Sequence, residues 1–96
     1  MQSKKVISIL LKHLTEIQKH KVKAIYLFGS VAKNKARAKS DIDLLVEFTE
    51  PVGLFTFIRL KNYLEKILKK RVDLVTKEAL KPQLKEQILK DSIRAA

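Results

Sequence analysis

The residues from Asp41 to Phe48 constrain this chain most. Asp41, Asp43 and Leu45 fall on one face of an extended segment and Ile42, Leu44 and Val46 on the other, the alternation expected of a strand. Two further runs, Lys23 to Phe28 and Arg71 to Thr76, are short and rich in β-branched or aromatic residues, so they too read as strands. Roughly a dozen residues separate the first strand from the second, the lower limit for a parallel crossover, which favours an antiparallel pair. More than about twenty residues with a helical pattern separate the second from the third, as in a right-handed βαβ unit with parallel strands. Together these connections place the end of the first strand, Gly29-Ser30, beside the starts of the other two, where Asp41, Asp43 and Asp73 lie.

The rest of the chain supplies helices to cover such a sheet. From about Ser3 to His20, Val6, Leu10, Leu14 and Ile17 recur at helical spacing, with Ser3 as candidate cap. Leu54 to Lys69 repeats the pattern, with Phe57, Leu60, Leu64, Ile67 and Leu68 inward and Arg59, Lys61, Lys66 and Lys69 outward. Thr76 suits a capped turn through Leu80, and Pro82 the first turn of a last helix carrying Leu84, Ile88 and Ile93. One helical turn fits at 31–35. With 96 residues, the expectation is a single α+β domain over 1–96, a small mixed β-sheet flanked by helices.

Charge narrows the partners. The 21 Lys and Arg outweigh 10 Asp and Glu, for a formal net charge of +11, which draws the chain toward phosphates, nucleic acid or acidic protein surfaces. Many of these lysines, such as Lys4, Lys12 and Lys19, lie on presumed helix faces and fit simple solvation. No apolar run is long enough for a membrane span and the N-terminus lacks a signal pattern, so a cytoplasmic protein is expected. Without cysteine, thiolate ligands and nucleophiles are excluded. His13 and His20 sit at no recognisable metal spacing and suit surface or helix-end roles.

The aspartates carry the chemistry. Two residues apart on a strand, Asp41 and Asp43 point the same way, and with Asp73 they would repel one another and raise their own pKa values unless a cation compensates. Hard carboxylate oxygens select Mg²⁺ or Mn²⁺, and Mg²⁺ typically shares its shell between one or two carboxylates, water and phosphate oxygens. Two such ions about 3.5–4 Å apart hold a triphosphate, activate an attacking hydroxyl and stabilise the leaving group. Gly29 permits close backbone approach, Ser30 offers a hydroxyl and an N–H, and Lys33, Lys35, Arg37 and Lys39 supply counter-charge to phosphates. Singly, each feature has a plain alternative: Asp-x-Asp as a strand-start cap, Gly-Ser as a turn, Asp73 as an ion-pair partner of Lys70 or Arg71. Their predicted convergence favours the metal-nucleotide reading.

Leu27-Phe28-Gly29-Ser30, then Asp41-Ile42-Asp43-Leu44-Leu45-Val46, then Arg71-Val72-Asp73-Leu74-Val75 resemble the minimal nucleotidyltransferases of the DNA polymerase β superfamily, across essentially the whole chain. The resemblance implies a polymerase β-like nucleotidyltransferase fold and Mg²⁺-dependent transfer of a nucleoside monophosphate from a triphosphate to a hydroxyl, with release of pyrophosphate. In that scheme Asp41 and Asp43 bind both metals, Asp73 binds the catalytic metal and helps deprotonate the acceptor, and Gly29, Ser30 and Lys33 hold phosphates. Small stand-alone members are similar to antitoxins whose partner is a HEPN-domain toxin, which implies ATP as substrate and a toxin tyrosine as AMP acceptor. The chain departs from the usual Gly-Ser-Arg-Ala-Arg-Gly run at Val31, Lys33 and Asn34. A non-catalytic module that neutralises its partner by covering it is the rival expectation. Direct RNA reading is not favoured, for want of an RNA-recognition aromatic motif.

Overall fold

The computed structural model describes residues 2–29 and 41–96. Among these, β1 (Val22–Phe28), β2 (Ile42–Phe48), β3 (Val72–Thr76) and β4 (Ile93–Arg94) form one sheet in the order β3-β2-β1-β4. β1 and β2 are antiparallel and β2 and β3 parallel, as the connection lengths require. The longer helices among the described residues are α1 (Ser3–Lys12), α2 (Leu14–Gln18), α3 (Leu54–Leu68) and α4 (Pro82–Asp91), with one 3-10 turn at Lys77–Ala79. The result is the mixed α+β architecture expected, and no helix among the described residues is long and apolar enough to cross a membrane.

One face of the sheet makes the core. Ile25 and Leu27 of β1, Ile42, Leu44 and Val46 of β2, and Val72 and Leu74 of β3 pack against α1, α2 and α3 through Val6, Leu10, Ile17, Leu60, Leu64 and Leu68. Each fully buried leucine or isoleucine contributes roughly 1.5–3 kcal/mol relative to an exposed one. This fixes register, because slipping β2 by one residue would turn Ile42, Leu44 and Val46 to the other face and bring Asp43 into the core.

The local structure departs from the sequence reading at several points. The expected helix from Ser3 to His20 is broken at His13, whose backbone leaves helical geometry (φ −107°, ψ 18°). The His13 N–H is shared between Ile9 O and Leu10 O, while its ring Nδ1 also meets Ile9 O at 2.9 Å, tightening the turn. His13 and His20 then bracket Tyr63 of α3, the first edge-on at 6.2 Å and the second stacked at 5.7 Å between ring centroids. Both histidines therefore join the helical layer together. Gln2 rather than Ser3 is the residue before α1, with no side-chain cap, and Ser3 is buried in the first turn.

At the other terminus, Thr76 accepts from Ala79 N at 3.2 Å and Pro82 opens α4, as expected. Leu84, expected to face inward, is 54% exposed, and Ile93 belongs to β4. β4 was not foreseen: it pairs Leu27 with Ile93 and Tyr26 with Arg94, continued by Ala95 N to Ile25 O at 2.8 Å. Two residues are too few to show any alternation in sequence. The candidate turn at 31–35 lies outside the described residues.

Candidate active site

The carboxylates meet where three strand ends coincide. In the antiparallel ladder Phe28 stands opposite Asp43, and in the parallel ladder Asp43 stands opposite Asp73. Paired residues project to the same side of a sheet, so Asp43 and Asp73 face each other across the β2–β3 pair. Ile42 N donates to Arg71 O at 2.9 Å, tying the starts of the two strands together and holding exposed Asp41 beside them. The predicted convergence of residues from three parts of the chain is present in the fold.

The electrostatics of this cluster follow from its composition. Burial pushes the Asp43 carboxyl above its ordinary value, and the Asp73 charge, a side-chain hydrogen bond to Asp73 and the Asp41 charge all push the same way. When protonated, Asp43 donates to Asp73; when it is ionised, two carboxylates confront each other at close range. Such a pair has the hard-oxygen chemistry of a divalent-cation site and lacks its charge balance. As the side chains stand, no three His, Asp or Glu side chains among the described residues are gathered tightly enough to hold a metal ion. Asp43 and Asp73 fit such an ion as a pair, with Asp41 adjoining.

Gly29 is built into the cluster. It follows β1 at φ +74°, a left-handed backbone that favours glycine. A Cβ there would overlap Asp43 Oδ2 and lie 3.0 Å from its Cγ. The sequence reading gave Gly29 the task of admitting phosphate, and its immediate neighbour proves to be the Asp43 carboxylate. Ser30 and Lys33, the other expected phosphate contacts, lie outside the described residues.

A feature the sequence reading missed adjoins the aspartates. Asp41 and Asp73 line an open cleft of about 680 Å³ together with Lys61, Lys69, Lys70 and Arg71. Glu65 also lines it and accepts from Val72 N at 3.0 Å, so its carboxylate also secures the start of β3. Lys61 and Glu65 are spaced i, i+4 along α3 and so share one side of the helix, and Lys69 follows its last residue. That spacing was legible, but the lysines were assigned only to an outward, solvated face.

A family model described as a nucleotidyltransferase domain matches residues 7–95. The chain belongs to the nucleotidyltransferase domain family. It is 40% identical over 87 residues to the protein adenylyltransferase MntA of Thermococcus cleftensis, covering 90% of this chain and 88% of that one. Its fold is similar to that of a solved structure described as a candidate minimal nucleotidyltransferase, with a TM-score of 0.85, 39% identity, and coverage of 97% of this chain and 95% of the other. It is also similar to a chain of the toxin-antitoxin MntA-HepT crystal structure, with a TM-score of 0.61, 25% identity, and coverage of 97% and 68% respectively. The chain is a nucleotidyltransferase, and the resemblance read from its Gly-Ser and aspartate motifs is the right one.

Proposed function

We propose that this nucleotidyltransferase moves AMP from ATP to a hydroxyl of a partner protein, a tyrosine of a HEPN-family toxin, and so acts as the toxin's antitoxin. The observation that carries the reading is Asp43 facing Asp73, with Gly29 closed against Asp43. Support for a protein acceptor comes from the relative named as a protein adenylyltransferase and from the toxin-antitoxin complex that shares the fold.

The chain's own groups then take defined roles. Asp41, Asp43 and Asp73 would hold Mg²⁺, which when bound supplies charge neutralisation to the triphosphate. Gly29, with Ser30 and Lys33 beyond it, receives the β and γ phosphates. Asp73, which lines the cleft, accepts the proton of the acceptor hydroxyl as its oxygen attacks the α-phosphorus. The bond from the α-phosphorus to its bridging oxygen breaks, pyrophosphate departs, and AMP remains esterified to the acceptor. Positioning and electrostatics carry most of such a reaction, in keeping with the few groups this small fold provides.

The test is incubation with α-labelled ATP, Mg²⁺ and the toxin, followed by detection of label on the toxin tyrosine. Label is expected with the native chain and not with Asp43→Asn. A toxin that is bound and silenced but never labelled would make this chain a binding module instead.

A further inference from the structure

A second groove, of about 350 Å³, lies where α1 meets the end of α3. α1 contributes Lys5, Ile9 and Lys12 to it, and Ile67, Lys69 and Lys70 come from the end of α3 and the residues after it. None of the chain's ten Asp and Glu lines this groove. Lys5, Ile9 and Lys12 follow the i, i+4, i+7 spacing of one helix face, with the two lysines roughly 10 Å apart along the axis. Lys12 closes α1 and Lys69 follows the last residue of α3, so the negative ends of two helix dipoles already favour them. Lys5 is different. It stands in the first turn of α1, which holds no acidic residue, and there the dipole disfavours a cation. An anion in the groove would offset that cost.

We infer that this groove binds single-stranded nucleic acid, with phosphates at Lys5, Lys12 and Lys69 and bases over Ile9 and Ile67. Cations without any lining carboxylate are complementary to a polyanion. Lysine heads on flexible stems follow a repeating phosphate backbone of any sequence. Ile9 and Ile67 are only partly buried and give an aliphatic floor that the exposed bases of a single strand can cover, whereas a duplex keeps its base faces stacked inside. An acidic protein helix fits less well, because such a helix needs a row of apolar anchor sites. Leu68, the other aliphatic residue of the groove, is only 1% exposed and already belongs to the core. The ring of His13, also in the lining, is engaged edge-on with Tyr63. With no platform for stacking, the groove reads phosphates and not bases. Lys69 and Lys70 also line the cleft beside Asp73, so the two are contiguous and the strand passes next to the active site.

The experiment measures fluorescence anisotropy of a labelled single-stranded RNA of about 12 nucleotides, without ATP or toxin, so that it stands apart from transfer. A dissociation constant of about 10⁻⁴–10⁻⁶ M is expected near physiological salt. Three phosphate contacts give a log–log salt slope of about −2, so raising salt from about 50 to 200 mM should weaken binding roughly fifteen- to twentyfold. In Lys5→Gln/Lys12→Gln one contact remains, and the same change of salt should cost only about threefold. Lys81→Gln/Lys90→Gln, which removes equal charge from exposed positions of another helix, should keep the native slope. Lys5→Gln alone should melt no lower than the native chain, since the first turn of α1 disfavours the cation, so lost binding is not lost folding. Oligonucleotides of different base composition, and DNA in place of RNA, should bind within about threefold of one another, as backbone contacts carry no sequence information.

No binding at about 10⁻³ M in low salt, or an equal loss of slope from the Lys81/Lys90 pair, would overturn the inference: the charge would then be diffuse and the groove no site. Tighter binding of a duplex than of the single strand would overturn it as well. So would a Glu-rich amphipathic peptide that binds more tightly and displaces the oligonucleotide, an outcome that would give the groove to an acidic protein surface.

Discussion

The two ends of β2 hold acidic residues in opposite circumstances. At one end Asp43 is surrounded by burial and fellow carboxylates, and its carboxyl is pushed up. At the other, Glu47 lies 3.4 Å from Lys23 of β1 and 3.5 Å from Lys77. Burial pushes Glu47 up too, yet the two lysines outweigh it and hold the carboxyl below its ordinary value. Asp43 and Glu47 are four residues apart on one strand and so share a face. The strand is thus charge-balanced at the Glu47 end and repulsive at the Asp43 end, the one proposed to hold a cation. A structural carboxylate comes with its counter-ions, whereas a site awaiting a cationic ligand keeps its repulsion.

The comparison breaks most readily at the active end. Asp73→Asn removes the proposed proton acceptor and Asp43→Asn a proposed metal ligand; either should lower AMP transfer about 10²- to 10⁴-fold, the range for a positioned acid–base group. Glu47→Gln should leave transfer within about twofold. Single-turnover label incorporation under saturating ATP distinguishes these outcomes, and equal loss from both ends of the strand would erase the functional contrast.

Gly29 tests whether the repulsive end is also the tightly built one. Gly29→Ala should cost roughly 1–2 kcal/mol from the left-handed backbone alone, with more from overlap with Asp43. Combining it with Asp43→Ala removes the overlap and leaves only the backbone cost, so the double-variant cycle in urea should be non-additive in the rescuing direction. Strict additivity would mean that Gly29 is required for its backbone angle only.

These two variants also mark what the sequence makes legible. The period-2 alternation around Asp43 and the unequal connection lengths were enough to set β1, β2 and β3 in their observed order and directions, and with them Asp43 beside Asp73. Both signals are local and strong. The break at His13 was hidden because α1 and α2 carry one continuous apolar stripe; it is settled by a bond to Ile9 O and by the distant ring of Tyr63. β4 is too short for periodicity, and Leu84 follows a helical pattern that nothing obliges the fold to bury. The contact between Gly29 and Asp43 and the cleft behind Asp73 depend on how strands and helix meet in space, which spacing along the chain constrains only weakly.

A divalent cation should alter the contrast without any mutation. In chelator, charged Asp43 is a liability, because its native pKa lies above its ordinary value of 3.8. The folded chain then holds that proton more readily than the unfolded one, and stability falls as pH rises through the window above 3.8. Asp43→Asn should therefore melt higher than the native chain at neutral pH, with the gain vanishing below about pH 3.8 where both states are protonated. Added Mg²⁺ should stabilise the native chain by about 1.4 kcal/mol at ten times its dissociation constant, and the variant by less. Thermal melts with and without Mg²⁺ check this; an Asp43→Asn chain that gains as much from Mg²⁺ as the native one would move the cation elsewhere.

The smallest effect belongs to the balanced end and has the opposite sign. The native pKa of Glu47 lies below its ordinary 4.5, so its pairing contributes fully above that value and is lost as pH falls through the native pKa. Lys23 is 62% exposed and Lys77 28%, which leaves each bridge open to screening and limits the pair to about 0.5–1 kcal/mol. Glu47→Gln should accordingly melt slightly lower than the native chain at pH 7 and low salt, with the deficit shrinking in 1 M salt and in acid. Measured beside Asp43→Asn in the same chelated buffer, the two amide substitutions should shift the melting temperature in opposite directions. Shifts of the same sign would show that Asp43 is held by counter-charge as Glu47 is, and that the repulsion read into the aspartate cluster is already neutralised within the chain.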